Sequence, residues 1–126
     1  MAQELKVFTT NWPDCYHSTI VYIDGDQIVA TCMVSYEGKD KKEAVLWNLQ
    51  VKKGYRNCGL GKLLLKAAID DAVLHRCPAI DLEWSPMDSV GWVFDWYKSY
   101  GFKVVSCCNK VRMTLTLQKG GQDEND

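Results

Sequence analysis

From Ala44 to Trp84 the chain reads strand, glycine-containing loop, helix, strand, and no other feature restricts the fold as much. Ala44 to Val51 reads as a strand, with Val45, Trp47, Leu49 and Val51 alternating onto one face. Between Gly61 and about His75 the apolar residues Leu64, Leu65, Ala68, Ile69, Ala72 and Val73 recur at helical spacing, and Pro78 stops the helix. Ala79 to Trp84 reads as the next strand. Two strands joined through a whole helix run parallel, and such a crossover is right-handed. The chain therefore contains a βαβ unit.

The flanking segments read as antiparallel. Leu5 to Thr9 is a short strand that Asn11-Trp12-Pro13-Asp14 breaks. Thr19 to Ile23 and Ile28 to Tyr36 form a hairpin around Asp24-Gly25-Asp26, where Asp-Gly supplies the positive φ angles of a tight turn. Glu37 to Glu43 is a charged loop. A second helix starts near Asp88 or Ser89, either of which can cap it, and runs to Tyr100 before Gly101 ends it. Val104 to Cys108 and Val111 to Leu117 close the chain as a hairpin around Asn109-Lys110. With no repeat and no linker, residues 1–117 read as a single α/β (α+β) domain and 118–126 as a disordered acidic tail.

Composition narrows the function classes. With 126 residues, 47% of them hydrophobic, the chain can bury one real core, too small for two domains and too apolar for a disordered segment. Fifteen basic against 16 acidic residues leave a net charge of -1, which offers nucleic acid no global field. No apolar run approaches the ~18 residues of a membrane helix, and Met1 to Lys6 lacks a signal pattern, so neither a membrane nor a nucleic acid is expected as a partner and the location expected is cytoplasmic. The six cysteines, Cys15, Cys32, Cys58, Cys77, Cys107 and Cys108, then read as reduced thiols. They form no Cys-x-x-Cys pair, and only Cys15-Tyr16-His17 brings Cys near His, so no metal site is expected. Fourteen aromatic residues, five Trp, six Tyr and three Phe, supply material for a homodimer interface without locating it.

The chemistry concentrates in Arg56-Asn57-Cys58-Gly59-Leu60-Gly61, between strand and helix. Glycines at i and i+2 let the backbone turn tightly, so that successive N–H groups and the helix N-terminus converge as a phosphate cradle. Neither a Walker loop nor G-x-G-x-x-G is present. Between Gln50 and Ile69 there is no acid, while Lys52, Lys53, Arg56, Lys62 and Lys66 all fall there. The same residues also suit an ordinary strand-to-helix turn with a solvated basic face.

Arg56-x-x-Gly59-x-Gly61 resembles the Q/R-x-x-G-x-G/A signature of the GNAT superfamily of acyl-CoA-dependent N-acetyltransferases, in which this loop binds the pyrophosphate of coenzyme A. Leu46-Trp47-Asn48-Leu49-Gln50-Val51 resembles the family's preceding strand, and Trp96-Tyr97-Lys98-Ser99-Tyr100-Gly101-Phe102 its late helix ending. Order and spacing agree over about Ala44 to Val105. The resemblance implies a mixed, mainly antiparallel sheet whose central parallel pair splays around the cofactor, with flanking helices. It implies acetyl-CoA as co-substrate, held by Leu49, Gln50 and Val51 along the pantetheine arm and by Arg56, Asn57, Cys58, Gly59, Leu60, Gly61 and Lys62 at the phosphates, with no metal.

The same resemblance assigns catalytic roles. The Leu49 amide would polarise the thioester carbonyl and hold its oxyanion. An amine must be neutral to attack, which calls for a base. Glu83 in Asp81-Leu82-Glu83-Trp84 is the candidate, as some ribosomal-protein acetyltransferases of the family carry a glutamate at the matching place, and Asp81 on the same face is the alternative. Either also suits an ordinary strand surface. Tyr97 occupies the family's tyrosine position and would serve as general acid to the leaving thiolate. Trp92, Trp96 and Tyr100 repeat at i, i+4 and i+8 as a packing stripe, and Tyr97 lies beside it with its hydroxyl free to face a cleft.

The chain also departs from the family. Most members place two helices between the first strand and the hairpin, roofing the acceptor site, and Thr10 to His17 is too short for them. The late helix lacks a clear match to the family's cofactor-contacting asparagine, with Asp88 or Ser89 nearby. Cys58 is read as a bystander or as a thiol of lowered pKa beside a basic loop. The leading expectation is transfer of an acetyl group from acetyl-CoA to a primary amine, of a protein lysine or N-terminus, directly in a ternary complex. A non-catalytic acyl-CoA-binding regulatory or interaction domain is the alternative, and a binder of another phosphorylated ligand a third.

Overall fold

The computed structural model describes residues 3–11, 16–56, 59–84, 91–107 and 111–117. Nine elements follow in the order β1 (Gln3–Asn11), β2 (Tyr16–Asp24), β3 (Gln27–Glu37), β4 (Glu43–Val51), α1 (Leu60–Leu74), β5 (Ala79–Trp84), α2 (Gly91–Ser99), β6 (Lys103–Cys107) and β7 (Val111–Thr116). The strands form one sheet in the order β1-β2-β3-β4-β5-β7-β6, antiparallel except for β4 and β5. This is the mixed α+β sheet with a central parallel pair that the sequence predicts.

β1 runs past the expected Leu5–Thr9 in both directions and pairs along its whole length with β2, from Gln3 opposite Asp24 to Asn11 opposite Tyr16. Only residues 12–15 separate the two strands, too few to hold two helices. The turn from β2 to β3 needs one positive φ, at Gly25 (69°), where two were expected; glycine at the first central position of a two-residue turn is the type II′ pattern.

α1 packs across β2, β3, β4 and β5. Its Leu64, Leu65, Ala68 and Ala72 are fully buried against the inward residues Ile20, Cys32, Val34, Ile80, Leu82 and Met113. The helix ends earlier than Pro78 requires. Arg76 takes a left-handed φ of 61°, its N–H donating to Val73 and that of Cys77 to Ala72, the two bonds of a Schellman cap. α2 ends at Ser99, one residue before the expected Tyr100, and Gly101 follows in the left-handed region with φ 100°. Its expected start at Asp88 or Ser89, the Asn109-Lys110 turn and the tail lie outside the described residues. Among those described, no helix is long and apolar enough to cross a membrane.

The expectation that Val45, Trp47, Leu49 and Val51 share one face of β4 is corrected. Ala44 and Leu46 are the buried residues of its first half, and Leu49 and Val51 pack against the core in its second. The phase switches because β4 carries a bulge: Met33 faces Trp47 and Thr31 faces Gln50, so three steps on β4 oppose two on β3. Asn48 absorbs the extra residue at φ 51°, a conformation asparagine tolerates better than most side chains. Val45 and Trp47 consequently point to the face away from α1.

Candidate active site

β4 and β5 are in register only at Ala44 with Ile80 and Val45 with Asp81. β5 continues to Trp84 in full register with β7, and β4 continues to Val51 beside β3, so the parallel pair opens like a fork. Within the fork lies a cleft of about 1560 Å³ lined by residues of β3, β4, the loop after β4, the start of α1, Glu83 and α2.

One mouth lies at the loop and α1. Gly59 stands at the N-cap in a left-handed conformation (φ 81°), no side chain caps the helix, and its first turn contains no acid, so the helix start presents amide hydrogen to the cleft. Gly61 is less constrained than the tight-turn argument supposes. It lies within α1, and an added Cβ would stand 3.6 Å from the Trp96 ring, an ordinary contact. Gly59, Leu60, Gly61, Lys62, Lys52, Lys53 and Arg56 line this mouth. Lys66 does not belong to it. Its ammonium bridges Asp70 one helical turn on, at 2.9 Å. Lys52 is tied by its ammonium to Gln27, and the Arg56 Nε donates to the Val51 carbonyl at 3.1 Å. Asn57 and Cys58 lie outside the described residues.

Midway through the sheet, Leu49, Gln50 and Val51 line one wall. Asn48 and Leu49 have no partner in the β3 register, which is what the bulge does to the ladder. Opposite stands Tyr97, which lines the cleft although it is only 9% exposed. It packs edge-on against Phe102 and tilted against Trp96, with ring centroids 5.7 and 5.2 Å away. It is thus both core aromatic and cleft wall. Burial, and secondarily the nearby Cys32 thiol, pushes its hydroxyl up to about 12, so it keeps its proton throughout the neutral range. No hydrogen bond to that hydroxyl is formed among the described residues. Trp96 and Tyr100, read from spacing as a packing stripe, also line the cleft, and Trp92 has no described side chain.

The other mouth opens on the sheet face away from α1. Glu83 lines it, and the Arg112 guanidinium lies 3.4 Å from its carboxylate. Asp81, the alternative base, sits where the strands are still paired. Its carboxylate accepts the Thr114 hydroxyl at 2.5 Å and is not part of the cleft wall. Trp47, unremarked as a site residue in the sequence, lines the same mouth. Among the described residues no group of three or more His, Cys, Asp or Glu side chains could hold a metal ion.

The family model of the Acetyltransferase (GNAT) family matches residues 2–102. No curated protein matches the chain. Solved structures share its fold. The ribosomal-protein-S18-alanine N-acetyltransferase from Escherichia coli superposes with a TM-score of 0.70 at 20% identity, covering 90% of this chain and 76% of its own. Ard1 from Thermoplasma volcanium gives 0.67 at 19% identity over 79% and 70%. An acetyltransferase of the GNAT family from Staphylococcus aureus gives 0.67 at 22% over 80% and 68%.

Proposed function

The chain belongs to the GNAT acetyltransferase family and is an acyltransferase, and from that premise we propose that it transfers an acetyl group from acetyl-CoA to a primary amine of a protein, directly within a ternary complex. The observation that carries this reading is the fork between β4 and β5, which holds a cleft lined by residues from both faces of the sheet. The residues fit the cofactor. A helix start without an acid or a side-chain cap, flanked by Lys53, Arg56 and Lys62, suits a pyrophosphate, and the ladder gap at Asn48 and Leu49 suits a polar arm lying along the strand. When bound, acetyl-CoA supplies the activated acyl carbon.

In this reading Leu49 directs its N–H at the carbonyl oxygen, where negative charge grows during attack. Glu83 takes a proton from the incoming ammonium and passes it to solvent, leaving a neutral amine. The C–N bond then forms as the C–S bond breaks, and the proton that nitrogen sheds in becoming an amide balances the one the thiol gains. Tyr97, protonated up to about 12, donates its hydroxyl hydrogen bond to the departing sulfur. The short β1–β2 connection leaves the acceptor side without the helical roof of larger members, which favours a macromolecular amine. One neighbour in fold is named as a ribosomal-protein-S18-alanine N-acetyltransferase, which accords with a protein acceptor.

The test is incubation of cell lysate with the protein and isotopically labelled acetyl-CoA, followed by mass spectrometry. Label on protein lysines or N-termini is expected, and its absence from every protein would reject the acceptor class. Glu83→Gln should lower turnover at neutral pH and lose less against amines that are already neutral there.

A further inference from the structure

Counting two residues on from the last paired rung, Val45 and Asp81, the next outward-facing positions on the two diverging strands are Trp47 on β4 and Glu83 on β5. Both line the outer mouth of the cleft. Trp47 is 39% exposed, unusual for so large an apolar residue in a central strand. It is also held in place. Its indole N–H donates to the Ser35 hydroxyl at 2.7 Å, and Ser35, only 9% exposed, donates in turn to the Glu37 carboxylate at 3.0 Å. The indole has one donor and no acceptor, so with that donor engaged Trp47 offers a ligand only its π face. A fixed π face and a carboxylate on opposite lips of one opening complement an alkylammonium, which would share that carboxylate with the Arg112 guanidinium 3.4 Å from it.

We propose that Trp47 and Glu83 form the acceptor-binding site, selecting aliphatic amines that arrive as cations, with Ser35 as the positioning residue that fixes the indole. This rests on the transferase reading above and names the chemistry of its substrate. The indole face receives the ammonium on its way in, and Glu83 accepts the proton that the nitrogen must lose before it attacks. Trp47 therefore acts on binding of the charged ground state more than on the chemical step.

The experiment measures thiol release from acetyl-CoA with n-butylamine, a cation at neutral pH, and with aniline, which is neutral there. Trp47→Leu should raise KM for butylamine roughly fivefold or more, the range set by a cation–π contact, and by a clearly larger factor than KM for aniline, with kcat affected less than KM and acetyl-CoA KM within about twofold of wild type. Trp47→Phe, which keeps a π face, should restore most of the butylamine affinity, and Ser35→Ala should raise its KM less than Trp47→Leu does. Thermal stabilisation of each variant by acetyl-CoA verifies that the cofactor side is folded; if Trp47→Leu lacks it, Trp47→Phe and Ser35→Ala decide. A butylamine KM unchanged in Trp47→Leu, or raised equally for aniline, overturns this site while leaving the transferase reading intact. A wild-type protein that releases no thiol with any amine overturns the reading beneath it, and the site with it.

Discussion

Val45 and Asp81 are the last residues at which β4 and β5 stand opposite one another. Asp81 is locked to Thr114 on its far side, and two residues later Glu83 already borders open space. A carboxylate two positions along one strand thus moves from a sheet contact to a cleft wall, which is why the two acids that sequence alone leaves as alternatives are not equivalent in position.

Tyr97→Phe tests the role of the buried hydroxyl. The ring contacts with Phe102 and Trp96 are kept, and the hydroxyl has no partner among the described residues to lose. Turnover should fall at least about tenfold while the unfolding free energy from chemical denaturation stays within about 0.5 kcal/mol of wild type and the acetyl-CoA dissociation constant barely moves. Calorimetric titration beside steady-state kinetics would separate these, and undiminished turnover would remove Tyr97 from the mechanism.

The bulge makes its own prediction. Asn48 has φ 51°, so Asn48→Gly should leave stability and activity close to wild type, whereas Asn48→Val forces a β-branched residue into the left-handed region at about 1–3 kcal/mol. If Val is tolerated without a fall in melting temperature, the bulge is not held in the conformation described.

Alkaline pH should destabilise the fold. Burial raises Cys32 from 9.0 to about 12 and Tyr97 from 10.0 to about 12, and it also raises Cys77 and Tyr36, the last helped by its bond to Asp71. Each holds its proton more tightly folded than unfolded, so stability falls as pH rises above the unfolded values. The contribution is complete below about pH 9 and that of Cys32 and Tyr97 is gone by about pH 12. Melting temperature followed from pH 7 upward should stay level to about 9 and then decline, with a shallower decline in Cys32→Ala and Tyr97→Phe.

Away from the cleft, the Tyr36 hydroxyl donates to Asp71 at 2.5 Å, and His75, stacked on Tyr36 at 4.2 Å, reaches the Tyr16 hydroxyl at 3.0 Å. These contacts fasten the end of α1 to β2 and β3. Asp71→Ala should cost about 1–3 kcal/mol by leaving the Tyr36 hydroxyl unpaired in the interior, and Tyr36→Phe with Asp71→Ala should cost less than the sum of the two. Denaturation of the four proteins of that cycle gives the coupling, and simple additivity would mean that the bond contributes nothing.

Much of this was legible because it is local. The Gly59 loop, the periodicity of α1 and the Gly101 stop each announce themselves within a few residues, and the parallel pair follows from a helix placed between two strands. The bulge is also local, but it disguised itself. Val45, Trp47, Leu49 and Val51 alternate perfectly on paper, while Ala44 and Leu46, the residues that are buried, sit in the other phase; an asparagine between the two phases was the available signal. The partnership of Tyr16 with His75 was out of reach, since 59 positions separate them and only the packing of α1 on β2 brings them together. Trp96 and Tyr100 were read as packing because a helix face can serve a core and a cleft at once, and spacing does not distinguish the two.

One surplus residue in β4 has a wider meaning. Take Asn48 away and Ala44, Leu46, Leu49 and Val51 fall into a single uninterrupted alternation, all inward. Such a deletion would match the steps of β4 to those of β3, three against two at present between Met33–Trp47 and Thr31–Gln50, and leave that ladder unbroken. One residue of chain length, rather than a change of side-chain chemistry, thus decides which residues of β4 face the core.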